Sequence, residues 1–566
     1  MNQLPLPLTM KNKLQFLLAA SICLLTSCGK DEADPPAPVN PRQVKTQSVF
    51  LEGKPWDGLE YNLGNRPVIR VKFTEPVNPA TVANAVKLSS SDGSLPALTT
   101  TLEQKDSVLV VKPASNLGFL TRYNFTISGE LKSASGGNFI SSVNKLLVTR
   151  MDSTAKFPLI ADDSLLTLVQ KQTFKYFWDF GHPVSGMARE RNSSGDVVTT
   201  GGTGFGIMAI VTGINRGFIS RTDGLGRMQK LVGFLKNTAQ RFHGAYPHWM
   251  NGITGAVVPF STKDNGADLV ETSFLVMGLL TSRQYFDGVD PAETVLRSDI
   301  NAICNAVEWN WFRRNNENVL YWHWSPGYGW EMNLPVRGWN ECLVTYVLAA
   351  SSSSYGIPAS VYQNGWANNG GAGFINGSNY YNINLPLGPA YGGPLFLSHY
   401  SFMGIDPNGL SDAYANYATQ VKHHSLVNFS YCAANPKGYY GYSNTCWGLT
   451  ASDIQGGYTA SSPTNDVGVI APTAAISSMP FTPEQSMNAL KFFYYTMGDK
   501  LFKEYGFVDA FSLKDLWYAN SFLAIDQGPI VVMLENYRSG LLWKLFTSCP
   551  EVKQGMKTLG FSAPYL

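Results

Sequence analysis

The hydrophobic pattern of this chain changes its period once, and the change separates two kinds of structure. From about Val44 to Met151, short alternating segments such as VIRVKF and SVLVVKP are separated by turn residues. That pattern is typical of a small antiparallel sandwich. From about Phe157 onward, apolar residues recur at spacings of three and four, as in DDSLLTLVQKQTFKYFWDFG. We therefore expect a multidomain chain, with a small all-β sandwich over 44–151 followed by an all-α domain over 158–566.

The helical region is long enough for many helices. About 410 residues, at roughly 30 to 35 for a helix and its loop, predict about twelve helices, and strand signals are nearly absent. Their connecting loops are unequal and rich in Gly, Trp, Tyr and Asn. These features favour an (α/α)6 toroid, in which six inner helices present one set of ends to a cup-shaped mouth. An α-solenoid is the alternative, although no repeat of fixed length is visible.

Residues 1–28 have the features of an export leader. Lys11 and Lys13 precede the apolar run LQFLLAASICLL, which is too short to span a membrane, and the run ends in LTSC. LTSC resembles a bacterial lipobox, which implies lipidation of Cys28, and the acidic KDE that follows resembles the surface-export signal of Bacteroidetes lipoproteins. The Pro-rich segment 29–43 predicts a flexible tether. We expect an outer-membrane lipoprotein held only by this anchor, on the surface or the periplasmic face; an ordinary secretory peptide is the alternative.

Composition narrows the class of ligand. Lys and Arg number 43 against 41 Asp and Glu, without runs of like charge, so a nucleic-acid partner is disfavoured. Charged residues make up 15% and aromatic residues 13%, a balance that suits a neutral, hydroxyl-rich ligand. Without a C-x-x-C motif or His ligand spacing, we predict no metal and no cofactor, and we expect a monomer. Cys432 and Cys446 could form a disulfide or remain two buried thiols.

One stretch, KDNGADLVETSFL, places three carboxylates at the start of an apolar helix. On a helix Asp268 and Glu271 would lie one turn apart on the same face, with Asp264 in the preceding loop. Carboxylates this close cannot all ionise easily, so at least one pKa should be raised. The alternative is structural, because D-L-V-E is also an acceptable capping box.

A second stretch, YWHWSPGYGWEMNLPVRGWNECLVTYV, places Glu341 at the start of another apolar helix. A carboxyl group beside several rings is partly desolvated, and this raises its pKa toward that of a general acid. A solvated first-turn Glu is the alternative. The rings of the preceding loop are those of Trp322, Trp324, Tyr328, Trp330 and Trp339.

Further polar and aromatic residues could complete a cleft. Taken singly, each is more often held by a local hydrogen bond than engaged in chemistry. They are Arg191, His248, Trp447, Asp453, Asp509 and Asp526.

Six ordered segments resemble the glucoamylase-like domain of bacterial enzymes, over about Asp163 to Gly560. They are TGGTGFGIMAIVTGINRGFISR, GADLVETSFLVMGLL, VRGWNECLVTYVLAASS, YGGPLFLSHYSFMGIDP, CWGLTASDIQGGY and ENYRSGLLWKLF. The resemblance is to glycoside hydrolase family 144, and it implies an (α/α)6 fold and endo-hydrolysis of linear β-1,2-glucan to sophoro-oligosaccharides with inversion. The 44–151 region resembles bacterial immunoglobulin-like domains, which implies a spacer.

The resemblance also implies roles for residues. The family's candidate acid falls on Glu341. Its functionally important carboxylates fall on Asp264, Asp268 and Glu271. An inverting enzyme needs a second carboxylate with room for a water molecule. Asp509 is the first choice for this base and Asp453 the second; Asp526 ranks third, because relatives can carry Asn there.

The expected mechanism places a glucan chain in a cleft between two acidic walls. Glu341 donates a proton to the bridging oxygen, while Asp268 and Glu271 hold hydroxyls of the sugar, and no metal takes part. The stacking rings are expected to be those of Trp324, Trp330, Trp339 and Trp447. The alternatives are a hydrolase or transglycosylase of another glucan and a non-catalytic surface glycan-binding lipoprotein. Endo and exo cleavage both remain open.

Overall fold

The computed structural model describes residues 40–566. The predicted leader, Cys28 and most of the predicted tether lie outside the described residues. The chain divides into two compact units. The first comprises the residues up to Leu59, Arg66–Asn116 and Tyr123–Leu146, and the second comprises Glu60–Asn65, Leu117–Arg122 and Leu147–Leu566. The helical region therefore lies wholly within the second unit.

Two sheets form in the N-terminal region, in the orders β2-β1-β4-β7-β6 and β3-β9-β8-β5. Strand β3 pairs with β9 in parallel, whereas the pairs β1–β2, β1–β4, β4–β7, β6–β7 and β5–β8 are antiparallel. Ile69, Val71 and Phe73 of β4 are buried and alternate with less buried residues, which is the predicted period of two. The strands and one helix are β1 (Thr46–Leu51), β2 (Lys54–Pro55), β3 (Glu60–Leu63), β4 (Ile69–Phe73), α1 (Pro79–Ala85), β5 (Val86–Ser90), β6 (Leu98–Glu103), β7 (Val108–Pro113), β8 (Arg122–Ile127) and β9 (Val143–Thr149).

Twelve helices of six or more residues follow, the number that the sequence predicts, together with two shorter helices. They are α2 (Asp162–Trp178), α3 (Thr200–Asn215), α4 (Arg221–Asn237), α5 (Leu269–Tyr285), α6 (Pro291–Asn305), α7 (Leu343–Ser351), α8 (Ala359–Val361), α9 (Tyr417–Ala434), α10 (Pro472–Ser477), α11 (Pro483–Lys491), α12 (Gly498–Leu501), α13 (Ala524–Ser539), α14 (Leu541–Ser548) and α15 (Pro550–Leu559). Across residues 40–566, no helix combines the length and the apolar character needed to cross a membrane.

The expectation that strands would be nearly absent from the helical region is wrong. Thirteen strands of two to four residues lie in its loops, most of them in hairpins that are too short for alternation to show in the sequence. They are β10 (Val197–Thr199), β11 (Trp249–Asn251), β12 (Val257–Val258), β13 (Ala267–Asp268), β14 (His323–Trp324), β15 (Asn379–Tyr380), β16 (Ile383–Asn384), β17 (Ala451–Ile454), β18 (Gly457–Ala460), β19 (Phe502–Lys503), β20 (Gly506–Phe507), β21 (Phe511–Ser512) and β22 (Trp517–Tyr518).

Five helices, α3, α5, α7, α10 and α13, are buried on nearly every side, as expected of helices inside a large core. Helices α6, α11, α14 and α15 bury only one face. The first two buried helices pack closely, because a Cβ atom at Gly204 would lie 2.1 Å from the backbone oxygen of Phe274. This close approach places the N-terminal ends of α3 and α5 side by side.

The cysteines of the helical region are free thiols. Of the two alternatives for Cys432 and Cys446, the structure has two buried, unpaired thiols. Burial raises the pKa of both groups, so they are poor nucleophiles.

Candidate active site

A cavity of about 460 Å³ lies where the N-terminal ends of α3, α5 and α13 and the turn before α7 meet. Its size is within the range of ligand pockets in proteins. Three carboxylates line it, those of Glu190, Glu271 and Glu341. Its rings are those of Trp249, Phe260, Phe274, Trp322, Phe396, Tyr400 and Tyr458. The cavity therefore combines acid groups with stacking surfaces, as a sugar-binding cleft requires.

Asp268 is the N-cap of α5, so it lies just before the helix. Its Oδ1 atom accepts the backbone N–H groups of Val270 at 3.0 Å and Glu271 at 2.9 Å. Its Oδ2 atom accepts from the indole Nε1 of Trp322 at 3.2 Å and from His248 Nδ1 at 3.0 Å. Because both oxygens are occupied and the side chain is fully buried, Asp268 cannot grip a sugar hydroxyl as the sequence predicts.

Glu271 completes only half of the predicted capping box. Its carboxylate does not return to the start of its own helix but crosses to α3, where Oε2 accepts the backbone N–H of Gly201 at 2.7 Å and the hydroxyl of Thr199 at 3.3 Å. Burial raises the pKa of this carboxyl, His248 opposes the rise, and the charge of Asp268 adds to it. Glu271 thus joins two helix starts while lining the cavity.

Two histidines and two aspartates meet behind the cavity wall. His323 Nε2 lies 3.1 Å from Asp264 Oδ2 and 3.3 Å from Asp268 Oδ2, and His248 Nδ1 lies 3.6 Å and 3.0 Å from the same two atoms. Burial lowers the pKa of His323, but the two carboxylates outweigh it and raise that pKa to about 9. The four facing atoms all lie within 4.8 Å of one another, close enough to share a cation. We call these four residues the His/Asp quartet.

Glu341 lies two residues before α7 and not inside it. The turn is held by the side chain of Asn340, whose Oδ1 accepts the backbone N–H of Cys342 at 3.0 Å and the indole Nε1 of Trp366 at 2.7 Å. The Glu341 side chain is almost fully buried at the cavity wall. Burial raises its pKa to about 7, and the nearby charges of Glu271 and Asp268 contribute to the rise. A carboxyl group that keeps its proton near neutral pH can act as a general acid.

The predicted stacking rings do not line the cavity. Trp447 is buried, packs against Phe429 and donates from Nε1 to the backbone oxygen of Gln485, while Trp339 is buried among core rings. Trp324 and Trp330 pack around Trp311. None of the four is among the rings that line the cavity, because Trp324, Trp330 and Trp339 turn toward neighbouring rings and Trp447 packs in the core.

Two rings at the cavity wall take the place of those four. Phe260 is about half exposed and stacks on His248, with ring centroids 4.2 Å apart. Trp249 meets Phe260 edge to face at 4.9 Å. Apart from the HW pair at positions 248 and 249, no spacing signal in the sequence indicates this platform, and none marks His323.

The three candidate bases, Asp453, Asp509 and Asp526, belong to a second acidic cluster that also contains Arg191. Arg191 pairs with the Glu190 carboxylate at 2.9 Å and with Asp453 at 3.2 Å. The backbone N–H of Asp453 donates to Asp509 Oδ2 at 2.7 Å. Arg191 lines the cavity, whereas Asp509 lies behind the β17–β18 hairpin, in which Asp453 is the register partner of the cavity residue Tyr458.

Asp509 and Asp526 are two buried carboxyl groups that face each other. Both are buried, and no donor among residues 40–566 reaches Asp509 Oδ1 or Asp526 Oδ2 other than the opposing carboxyl. Two adjacent carboxylates cannot both ionise cheaply, so one of them keeps a proton. Burial raises the pKa of Asp509 to about 7, and burial together with the charge of Asp509 raises the pKa of Asp526 well above its usual range. The pair therefore gains its negative charge as the pH rises through about 7 and is largely neutral below that pH.

Comparison with known proteins identifies two regions of similarity. Residues 333–550 match the Glycoamylase family model, which describes a glucoamylase, and residues 58–148 match the bacterial Ig-like domain model Big_5. Among solved structures, an endo-β-1,2-glucanase from Chitinophaga pinensis, in complex with sophorotriose and glucose, is 54% identical. It has a TM-score of 0.70 and covers 72% of this chain and 100% of its own.

A solved structure and a curated relative, both from Parabacteroides distasonis, are also similar. A β-1,2-glucanase structure is 36% identical with a TM-score of 0.69, over 93% of this chain and 74% of its own. A curated exo β-1,2-glucooligosaccharide sophorohydrolase (non-reducing end) is 44% identical over 427 residues, or 72% of this chain. The match spans 59% of the length of that curated relative.

Proposed function

Because this chain belongs to the glucoamylase-like family, glycoside hydrolase family 144, we propose that its helical domain hydrolyses linear β-1,2-glucan. The observation that carries the proposal is Glu341, a carboxyl group at the wall of a ring-lined cavity whose pKa of about 7 keeps it protonated near neutrality. Two of the similar proteins act on β-1,2-glucan or its oligosaccharides by name, which indicates the linkage.

The helical domain is proposed to be an (α/α)6 toroid. Helix α3 lies near the beginning of the domain in sequence and α13 near its end, yet the two helices are in contact. Arg216 Nε, at the C-terminus of α3, lies 2.6 Å from Glu535 Oε2 in α13. A solenoid keeps contacts between neighbouring repeats, so a contact between elements so distant in sequence favours closure. With α3, α5, α7, α10 and α13 as inner helices, the short turns of residues 395–403 supply the sixth position. Ser401 Oγ there accepts the backbone N–H of Val344 at 3.0 Å.

Glu341 is the proposed general acid. Protonated, it donates to the bridging oxygen as the glycosidic bond breaks, and the electrons of that bond leave with the departing sugar's oxygen. Burial, helped by the adjacent charge of Glu271, raises the pKa of Glu341 and so keeps its proton until the leaving oxygen becomes basic.

The Asp509–Asp526 pair is the proposed base, with Asp509 as the group that activates water. Asp453 is less suited because Arg191 neutralises it and the Ser521 hydroxyl donates to it. Asp526 is less suited because its pKa is raised well above the usual range. Inversion requires the base to act through a water molecule on the opposite face of the sugar, with a separation of roughly 6.5 to 9.5 Å between the two carboxyl groups.

Substrate is proposed to bind by stacking and by hydrogen bonds from the cavity wall. Trp249 and Phe260 form the stacking platform, and sugar hydroxyls meet Glu190, Arg191 and Glu271. Asp264 and Asp268 act indirectly by holding His248, which lines the same wall.

Endo cleavage is proposed in preference to exo cleavage, because the named endo-enzyme is 54% identical and the named exo-enzyme 44% identical. To test the substrate and the mode together, the purified chain is incubated with linear β-1,2-glucan, starch, laminarin and cellulose. A ladder of sophoro-oligosaccharides from β-1,2-glucan alone supports the proposal. Sophorose as the sole early product indicates exo cleavage, and hydrolysis of starch alone overturns the substrate.

The same incubation separates two other functions. Products longer than the added oligosaccharide indicate a transglycosylase. Saturable binding of β-1,2-glucan without any product indicates a glycan-binding protein, in which case Glu341→Gln would leave affinity unchanged.

The chain is proposed to act as a monomer anchored through a lipid on Cys28, with the N-terminal sheets as a spacer. The full chain is expected in the outer-membrane fraction and Cys28→Ser in the soluble fraction. Release of the domain from intact cells by added protease places it on the surface, and protection places it in the periplasm. Light scattering of the soluble form checks for the mass of one chain.

A further inference from the structure

The His/Asp quartet has an arrangement that hydrogen bonding alone explains poorly. Each residue contributes one atom, and each of those atoms contacts two atoms of the other kind, at 3.0 to 3.6 Å. Charge-assisted N–H···O bonds are shorter, about 2.7 to 2.9 Å, and point at one acceptor. Of the four contacts, only that of His248 with Asp268 is aligned as a hydrogen bond.

Convergence of four atoms on one point is the geometry of a metal site. A tetrahedral Zn²⁺ ion with bonds of about 2.0 to 2.1 Å sets its ligand atoms about 3.3 Å apart. The four nitrogen–oxygen contacts in the quartet bracket that separation, and the nitrogen–nitrogen and oxygen–oxygen pairs lie within 4.8 Å.

The donor set fits a transition metal better than calcium or magnesium. Two imidazole nitrogens and two carboxylate oxygens suit Zn²⁺, whereas Ca²⁺ and Mg²⁺ require six or more oxygen ligands. Two carboxylates and one divalent ion also give a neutral site, which removes the cost of burying the charges of Asp264 and Asp268.

The surroundings hold the Asp268 ligand in place. Asp268 Oδ1 is fixed by the two backbone N–H groups at the start of α5, which directs Oδ2 toward the histidines. Asp268 and His323 also face each other as register partners in the β13–β14 pair. Three of the four side chains are buried, so the site is closed and leaves no position for substrate.

We propose that His248, Asp264, Asp268 and His323 bind one structural Zn²⁺ ion that joins the start of α5 to β14 and to the cavity wall. The ion holds His248 and the Asp268 cap in place and does not contact the reacting sugar. The proposal is independent of the proposed substrate, because metal content and stability test it without any activity measurement. No spacing rule indicates it, since the ligands come from three separate segments of the chain.

The test uses the full chain, purified without a metal-affinity tag. We expect about one zinc per chain by mass spectrometry, or uptake of about one equivalent on titration with ZnCl₂. Treatment with 1,10-phenanthroline is expected to lower Tm, and ZnCl₂, but neither CaCl₂ nor MgCl₂, is expected to restore it.

Variants locate the ion. His323→Ala and Asp264→Asn should lose the zinc. The matched control is His243→Ala, because His243 pairs with the Glu308 carboxylate at 2.9 Å outside the quartet, and it should keep the zinc. If His323→Ala does not fold, the wild-type measurements still decide. The proposal is overturned if wild-type protein contains no zinc and its Tm changes with neither chelator nor zinc. In that case two protonated histidines neutralise the carboxylates of Asp264 and Asp268. Zinc that His323→Ala retains at the same stoichiometry also overturns it.

Discussion

Asp268 Oδ1 lies 2.9 Å from the backbone nitrogen of Glu271, so the first of these two carboxylates caps the helix on which the second is carried. The two groups are neighbours in sequence, but their carboxylates face different partners. Asp268 turns back to the histidines, and Glu271 crosses to α3 and lines the cavity. The two carboxylates of this motif therefore have different roles: Asp268 positions the histidines, and Glu271 lines the cavity.

Replacement of Glu341 by Gln removes the proposed proton donor with little change of shape. We expect kcat on β-1,2-glucan to fall about 10²- to 10⁴-fold, the usual contribution of a general acid, while KM changes little. Steady-state kinetics on purified glucan measure both. Glu331→Gln is the control, because Glu331 is exposed and pairs with Lys263 near the same loop. Full activity in Glu341→Gln would contradict the assignment of the acid.

Activity should depend on pH in a narrow bell with its maximum near neutrality. As pH falls below about 7, Asp509 gains a proton and can no longer accept one from water; as pH rises above about 7, Glu341 loses the proton that it must donate. The log of kcat against pH from 4.5 to 9.5 should show both limbs. A rate that stays flat between pH 5 and 9 would show that neither group limits the reaction.

The stability of the helical domain should respond to Asp509→Asn in a pH-dependent way. The folded pKa of Asp509, about 7, lies above the unfolded value near 3.8, so the buried carboxyl stabilises the fold when protonated and loses that contribution as pH rises toward 7. Asparagine imitates the protonated form. Thermal unfolding should therefore show a higher Tm for the variant than for wild type at pH 8 and almost none of this gain at pH 4. An equal shift at both pH values would point to a packing effect.

Two substitutions of Asp268 separate the stabilising effect of its helix cap at the start of α5 from that of its negative charge. Asn keeps an N-cap acceptor but loses the charge opposite the histidines, whereas Ala loses both. We expect Ala to be more destabilising than Asn by about 1 kcal/mol, the usual worth of an N-cap. Denaturant unfolding of the two variants under the same conditions provides the comparison. Equal stability would show that Oδ1 contributes nothing as a cap.

Loss of the stacking platform should weaken substrate binding more than chemistry. For Trp249→Ala and Phe260→Ala we expect KM for β-1,2-glucan to rise about five- to tenfold, corresponding to about 1 to 1.5 kcal/mol of ring contact. Tyr328→Ala is the control, since this exposed ring belongs to the ring-rich loop but does not line the cavity. A rise in KM for Tyr328→Ala alone would place the glucan along that loop.

Some elements of this protein could be read directly from local sequence. The period of two in VIRVKF and the spacing of three and four in LVETSFLVMGLL each reflect neighbours along one strand or one helix, so β4 and α5 form as predicted. The position of Glu341 before an apolar helix and within a ring-rich stretch can likewise be predicted, because these are properties of adjacent residues, and the structure places this side chain at the cavity wall.

The arrangement of the site was decided by tertiary packing. Trp339 and Trp447 are predicted to stack on the glucan, but the folded core buries both rings. Trp249 and Phe260 line the cavity without a spacing signal in the sequence. The raised pKa values of Asp509 and Asp526 arise only because packing buries two carboxyl groups from separate segments beside each other.

The sequence by itself determined the two kinds of secondary structure, the number of helices and the carboxylates that precede them, because local periodicity encodes which face of each element is apolar. Only the tertiary structure decided which carboxylates are buried, which are neutralised and which histidines stand opposite them. Those properties depend on distances between residues remote in sequence, and a charge in a protein interior is governed by whatever lies within a few ångströms of it.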